Sequence, residues 1–330
     1  MTKNSFLTAK LTSNADSNSA KSGILADGFS LLILAIAIIA LAFSPIFTKL
    51  SEIELSPTVT IFNRLWIATI IISVWQLIST WRSPSDIPLE NIAAANSLSG
   101  YKEKGLLILA SFSATASAVL WAISFTQTSI ASSTVLRSLT PLFISAGAWL
   151  ILKQRFDRQF MIGMILAIVG GITIGWDDLQ LGGDRLLGDG IALLSAALHG
   201  ANILVVGYLR DRGCATDRVL LWRCGGGALM VLPIVYLTDI QLFPSSAQGW
   251  LFVIALAVVC QTFGQSLLVF SLKHFSSSFV GIFALLKPLI TALLAWIIFA
   301  EGVSLVSGLA LILILAGIYL AKTSSSATQN

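Results

Sequence analysis

The apolar residues of this chain fall into runs of about twenty, and no other feature limits its fold so strongly. An α-helix rises about 1.5 Å per residue, so such a run covers the ~30 Å hydrocarbon core of a bilayer. Only 11% of the residues are charged and 56% are hydrophobic, whereas about 25% are charged in soluble domains. We therefore expect an all-α integral membrane protein.

Ten such runs predict ten transmembrane helices. The predicted spans are 28–49, 57–79, 105–126, 131–152, 159–176, 188–209, 216–237, 249–271, 276–299 and 303–321. Residues 1–27 are polar and lack an apolar centre followed by a cleavage site, so they are interpreted as a disordered cytoplasmic tail. An organelle transit peptide is the alternative. Residues 322–330 are interpreted as a second cytoplasmic tail.

Lysine and arginine mark the cytoplasmic loops of membrane proteins, and here they set the orientation. With a cytoplasmic N-terminus, fourteen of the twenty basic residues fall inside, two fall outside and four lie within spans. The sequence therefore predicts a multi-pass protein of the bacterial inner membrane with both termini in the cytoplasm. This bias explains the formal charge of +4 without a nucleic-acid partner.

No group of residues has the spacing of a metal site. Cys214, Cys224 and Cys260 form no CxxC pair and are interpreted as packing residues. The acidic pair 177–178 faintly resembles a magnesium-binding motif of membrane prenyltransferases, but a second cluster on the same side is missing. We expect no metal and no cofactor.

The chain contains an internal repeat. One constant offset of 147 residues aligns Ser129 with Ser276, Pro141 with Pro288, Trp149 with Trp296, Gln154 with Glu301 and Gly170 with Gly317. A weaker register at offset 159 aligns Arg64 with Arg223. Each half holds five spans, an odd number, so the second half must be inverted relative to the first. Inverted repeats are a recurring construction of secondary transporters, with the substrate site near the membrane midplane.

These residues resemble the drug/metabolite transporter (DMT) superfamily, specifically its EamA-type ten-helix members. The resemblance runs from about residue 28 to residue 321. It is most specific in Leu139-Thr-Pro141 and Leu286-Lys-Pro288, and in Glu301-Gly302, which closes helix 9. Gln154 stands where the family usually ends helix 4 with a glutamate.

The resemblance implies two EamA-like five-helix repeats, residues 28–176 and 188–321, around a central cavity lined by helices 4 and 9. It also implies that basic residues on these helices, Arg137 and Lys287, contact an anionic or zwitterionic substrate. We expect a secondary transporter of a small polar metabolite, such as an amino acid, that works by alternating access. A membrane-embedded enzyme or a receptor without transport activity is the alternative.

Pro141 and Pro288 lie well inside predicted spans. Each proline removes one backbone hydrogen bond and clashes with the carbonyl four residues earlier, here those of Arg137 and Ala284. We expect kinks in helices 4 and 9 that line or gate the cavity. Bending for packing alone is the alternative.

Four basic residues lie within predicted spans, where charges are costly and usually mark a solute or ion pathway. Lys287 lies ~16 Å into its span by helical rise, near the midplane. Arg137 lies only about 9 Å from the outer end of helix 4, so snorkelling to the interface is its alternative. Arg64 and Arg223 are interpreted as structural residues that pair with backbone carbonyls or loop acids. No Asp or Glu falls in the middle of any span.

Three further residues complete the predicted cavity. His199 and Asn202 lie on nearly one face of helix 6, where the imidazole either relays protons or simply hydrogen-bonds within the bundle. Trp121 lies near the end of helix 3, in a mixed polar and aromatic group that is expected to line the outer vestibule.

Small residues predict close helix packing in two places. Gly163, Ala167, Gly171 and Gly175 form a stripe on helix 5, where packing within the chain is the favoured interpretation and a homodimer the alternative. The run 225–227 in helix 7 predicts either a hinge or a crossing point.

Overall fold

The computed structural model describes residues 28–82, 100–128, 133, 136–174, 186–238, 241–299 and 305–327. The helices follow the order of the predicted spans. They are α1 (Gly28–Ser51), α2 (Pro57–Arg82), α3 (Gly100–Gln127), α4 (Thr140–Leu152), α5 (Arg158–Ile174), α6 (Leu186–Asp211), α7 (Thr216–Thr238), α8 (Ala247–Ser271), α9 (Ser277–Phe283 and Leu286–Phe299) and α10 (Leu305–Lys322). The predicted tail 1–27 lies outside the described residues.

The helices have the lengths and surfaces of a membrane protein. Six of them, α1–α3 and α6–α8, are long and apolar enough to cross a bilayer, and the other four correspond to shorter apolar helices. Large apolar side chains such as Trp75, Leu150 and Ile297 are exposed on the outside of the bundle. Such a surface requires hydrocarbon rather than water around it. The prediction of an all-α membrane fold is confirmed.

The chain is interrupted, and not merely kinked, just before Pro141 and just before Pro288. The chain turns at residues 138–139 before α4 and at residues 284–285 between the two pieces of α9. Pro141 and Pro288 therefore stand in the first turn of a new helix, where a missing N–H costs no hydrogen bond. The two breaks lie at equivalent positions of the repeat.

The carbonyls at these breaks find partners inside the protein. The Thr140 hydroxyl donates to the Arg137 carbonyl over 2.6 Å, and the Lys287 N–H donates to the Ala284 carbonyl over 3.0 Å. A bare carbonyl in hydrocarbon would be costly, so both breaks are stabilised locally.

The contact between α5 and α10 has the symmetry of the repeat. A Cβ on Gly163 would lie 2.6 Å from the Gly317 carbonyl oxygen, and one on Gly170 would lie 2.9 Å from that of Ala310. At the repeat offset of 147 residues, Gly163 is equivalent to Ala310 and Gly170 is equivalent to Gly317. Each of the two contacts is therefore the repeat equivalent of the other. The halves are therefore related by a local pseudo-two-fold axis that passes between α5 and α10.

The small-residue stripe of α5 is covered within the chain. Gly163 and Ala167 pack on Gly317 of α10, and Gly171 lies against Ser138 and Leu285. This arrangement leaves these three residues no free surface for a second copy of the chain. The fourth residue of the stripe, Gly175, lies outside the described residues.

Helix α7 crosses α2 and α3 at its run of three glycines. A Cβ on Gly225 would lie 3.4 Å from the Thr69 side chain, and one on Gly226 would lie 2.9 Å from Ser111 Oγ. Helix α7 continues through this point without interruption. The run is therefore a crossing point and not a break in the helix.

One end of the bundle, here called the basic end, holds most of the charged loops. The segment Thr323–Ala327 packs there against the connection between α4 and α5. Ser324 Oγ donates to Asp157 Oδ2 over 2.8 Å, and the Ser276 N–H at the start of α9 donates to the Ala327 carbonyl over 2.9 Å. Asp157 also caps α5 by accepting the Phe160 N–H over 2.7 Å.

Replacing Gly317 by alanine tests the α5–α10 contact. The new Cβ would meet the Gly163 carbonyl oxygen and the Ala167 N–H group, which are backbone atoms that cannot rotate away. We expect G317A to lower the apparent melting temperature in detergent, with an overpacking cost of about 1–3 kcal/mol.

The matched control is Gly105→Ala in α3, where nothing lies within 4 Å of the new Cβ. This change should leave stability unchanged or raise it, because alanine favours a helix. Equal melting temperatures for the two variants would contradict the close contact.

The docking of Thr323–Ala327 should depend on pH through Asp157. The Phe160 N–H and the Ser324 hydroxyl lower the pKa of this carboxyl from its ordinary value of 3.8. The stability that the Asp157 carboxylate adds to this docking is therefore present above pH 3.8, and it is lost as the pH falls through the lowered pKa of the folded state. Hydrogen exchange of residues 323–327, measured as the ratio of wild type to D157N at each pH, should change in that window. A ratio that stays constant would contradict the role of the charge.

Candidate functional site

Arg137 sits on a pair of serines between α3 and α6. Its Nη1 donates to Ser195 Oγ over 2.6 Å and reaches Ser117 Oγ at 3.4 Å. The two serines also join the helices, because each hydroxyl donates to the backbone carbonyl of the other residue. The guanidinium lies 4.6 Å from the centre of the Trp121 ring, within cation–π range. Arg137 therefore turns into the bundle and does not snorkel.

Lys287 and His199 lie on chain segments that pack close to that of Arg137. Ser138, which follows Arg137, and Leu285, two residues before Lys287, both lie against Gly171 of α5. Gly200, which follows His199, lies against α4, where an added Cβ would stand 3.1 Å from the Phe143 side chain. Arg137 and Lys287 come from opposite halves and stand beside the two helix breaks. The broken helices touch each other, since a Cβ on Gly281 of α9 would lie 3.7 Å from the Pro141 Cα.

Arg64 of α2 is held by two neutral side chains. Its Nε donates to Gln261 Oε1 over 2.6 Å, and its Nη1 reaches Ser44 Oγ at 3.4 Å. The same glutamine donates through Nε2 to Cys224 Sγ over 3.3 Å. These partners are not the backbone carbonyls or loop acids expected from the sequence.

Arg223 of α7, the repeat equivalent of Arg64, is held by a second glutamine of α8. Its Nη1 donates to Gln265 Oε1 over 3.3 Å, and its buried Nε has no hydrogen-bond partner among the described residues. Gln261 lies within a π-helical segment of α8, Leu256–Gly264, and Gln265 follows it directly. The two amides thus face the arginines of α2 and α7. Segments of π-helix are frequent at functional sites.

The cationic cluster, defined as Arg64, Arg137, Arg223 and Lys287, brings positive charge from both halves into the bundle interior. The hydrogen bonds found for its guanidinium groups in the described part of the chain go to hydroxyl and amide oxygens. The sequence also places no carboxylate in the middle of any span. The cluster therefore has strong positive potential in a medium that screens charge poorly.

A groove of about 680 Å³ opens between α4 and α5, but it does not contain the cluster. Leu142, Trp149 and Met161 line it, and Trp149 is 62% exposed on the lipid-facing surface. The acyl chains of lipids would fit an apolar groove of this kind. The polar and charged groups that could select a solute lie at the cationic cluster instead.

The Asn202 amide is engaged in helix packing. Asn202 is 2% exposed and donates to the Ala110 carbonyl over 2.7 Å, with Ser113 Oγ 3.4 Å away. It therefore joins α6 to α3.

A sequence profile of the EamA-like transporter family matches the chain twice, over residues 28–176 and 186–323. The chain belongs to the EamA-like transporter family. The predicted resemblance is thereby confirmed, and an EamA-like protein is a membrane transporter of the DMT type.

The fold of this EamA-like chain also has a counterpart among solved structures. A structure titled "Crystal structure of protein" aligns with a TM-score of 0.75 at 14% identity, over 90% of this chain and 97% of the other. At this identity the likeness shows the fold alone. No curated protein matches the chain.

Gln261, Gln265 and Ser195 are the polar residues of the site that sequence reasoning missed. The two amides in the middle of an apolar span were the available signal for the glutamines. Ser195 carried no such signal, because serines are common in every helix of this EamA-like chain.

Replacing Arg223 by glutamine tests whether this arginine is structural. The change removes a buried charge that has only a neutral partner, so we expect R223Q to be at least as stable as the wild type in detergent. Arg210 is the matched control, because it is also buried but donates to the Val269 and Cys214 carbonyls. R210Q should lower the apparent melting temperature, since carbonyls then lose their donors. If R223Q lowered the apparent melting temperature as much as R210Q, Arg223 would have a structural role.

Proposed function

We propose that this protein is a secondary transporter that carries a small anionic or zwitterionic metabolite by alternating access. The observation that carries the proposal is the cationic cluster, which draws on both halves of an inverted repeat. Residues from both halves must face the solute if it is to be released on either side of the membrane.

The broken helices favour an anionic group on the solute. Helix α4 begins at Thr140 and the second piece of α9 begins at Leu286, next to Arg137 and Lys287. A helix N-terminus carries partial positive charge, and half-helix N-termini near the midplane bind anionic groups in other secondary transporters. The positive potentials of the helix N-termini and of the basic side chains therefore add to one another here.

Each residue has a proposed task. Lys287 serves as a point charge and Arg137 as a planar donor fork for carboxylate or phosphate. Ser195 and Trp121 orient the Arg137 fork, while His199 offers an imidazole for a further hydrogen bond. The breaks before Pro141 and Pro288 act as gating points.

The proposed orientation follows the charges of the loops. All ten helical segments cross the bilayer, and the basic end faces the cytoplasm of a bacterial inner membrane. Thr323–Ala327 then lies on the cytoplasmic side, and Glu54 lies outside. The Ser245 and Ser246 N–H groups at the start of α8 donate to Glu54 over 3.1 and 3.2 Å.

Reconstitution tests this function directly. Purified protein in liposomes should take up at least one labelled solute from a panel of amino acids, dicarboxylates and sugar phosphates. K287Q and R137Q should each lower the initial rate at least tenfold, because a hydrogen bond to a charged group is worth about 1.5–3 kcal/mol.

Lys273 supplies the control, because it lies exposed at the basic end and outside the cluster. K273Q should transport at the wild-type rate. The proposal fails if no solute in the panel crosses, or if K287Q and R137Q transport as well as K273Q.

A further inference from the structure

Arg64 and Arg223 form a pair of like charges inside the bundle. They occupy equivalent positions of the two halves, on α2 and α7, and these helices cross at Gly225 and Thr69. Gln261 links their surroundings, because it accepts from Arg64 Nε and donates to Cys224 Sγ, the neighbour of Arg223 in the chain. Like charges repel each other strongly in an interior that screens charge poorly.

The surrounding groups hold these arginines without neutralising them. Arg223 is only 8% exposed, and none of the described residues accepts a hydrogen bond from its Nε. Gln261, which binds Arg64, donates on its other side to the Cys224 thiol, and thiols are neutral near pH 7. A buried N–H group that lacks an acceptor, on a charge that lacks a counter-charge, destabilises the folded protein unless another group binds it.

Other arginines in the same chain show what a structural role involves. Arg210 places its donors on the Val269 and Cys214 carbonyls, and Arg218 pairs with Glu103 over 2.9 Å. Arg64 and Arg223 have neither kind of partner in the described part of the chain. Packing alone therefore does not account for them.

The glutamines of α8 engage only part of each guanidinium group. Gln261 accepts from Nε of Arg64, and Gln265 accepts from Nη1 of Arg223. An arginine has five N–H donors in a planar fork that matches a carboxylate or a phosphate. The amides fix the orientation of each fork, and the remaining N–H groups stay available for an acidic group.

We propose that Arg64 and Arg223 form a second anion-binding subsite, so that the transported solute is a small organic dianion with two separated acidic groups. One acidic group binds Arg64 and Arg223, and the other binds Arg137 and Lys287. Thr291, one helical turn beyond Lys287, donates to the Ala42 carbonyl over 2.8 Å, and Ser44 is the residue that Arg64 Nη1 reaches. These contacts bring the two subsites within reach of a single small molecule. This inference rests on the proposed transport function and narrows its substrate class.

The experiment compares matched dianions and monoanions on the purified full-length protein. The probes are succinate against butyrate and glutarate against pentanoate, each measured by thermal stabilisation and by uptake into liposomes. Phosphatidylcholine nanodiscs serve for the binding assay, because they contain no anionic lipid that could occupy the subsite.

In the wild type a dianion should stabilise the protein and should be taken up in preference to its partner compound. R64Q and R223Q should each weaken dianion binding about 10- to 100-fold, the loss of a charge-assisted hydrogen bond. Butyrate binding should change less than threefold. R223K, which keeps the charge but not the fork, should fall between R223Q and the wild type. R218Q, at the basic end, should match the wild type.

The two proposals fail in different ways. If the protein carries a zwitterion or a monoanion and R64Q and R223Q leave its affinity unchanged, transport stands and the second subsite is wrong. If phosphatidylglycerol nanodiscs stabilise the wild type and no soluble dianion does, the occupant is a lipid headgroup and the inference is also overturned. An absence of flux for every solute removes both proposals.

Discussion

Hydrocarbon offers no hydrogen-bond partner, and this constraint shapes every irregular point of the bundle. The two helix breaks expose carbonyls that the Thr140 hydroxyl and the Lys287 N–H must satisfy from within. The π-helical segment of α8 changes its bonding partners without leaving the helical pattern. Irregular backbone at this depth is tolerated only where protein or a water-filled cavity surrounds it. The breaks therefore lie where the two halves meet and not on the lipid face.

Glycine brings the two halves close enough to share one site. The lipid side gives no hydrophobic drive for helix association, so helices gain stability from close packing. The contact of Gly163 with Gly317 does this for α5 and α10, and Gly225 does it where α7 crosses α2. Both contacts lie at or near the local pseudo-two-fold axis. The same closeness brings Arg64, Arg223 and the helix breaks toward the centre of the molecule.

The sequence predicts the repeat and the cations well, because both are properties of residue type and spacing. It predicts contacts less well, since these depend on which way a helix face turns. Pro141 indicated an irregular helix, yet the chain breaks before it because a proline fits a first turn without loss. The side of α8 that carries Gln261 could not be derived from a period of 3.6 residues, because the π-helical segment shifts the phase. Asn202 appeared to share a face with His199, yet packing of α6 on α3 engages its amide.

An inverted repeat also limits how buried charges can be neutralised. Arg64 and its repeat equivalent Arg223 carry the same sign, so they cannot form an ion pair with each other. Wherever the axis brings such equivalents together, compensation must come from a third group. In this chain the third groups of α8 are glutamines, which donate and accept hydrogen bonds but bring no charge. In the described part of the chain no carboxylate neutralises these arginines, and the proposed anion would do so at the place where both halves contact it.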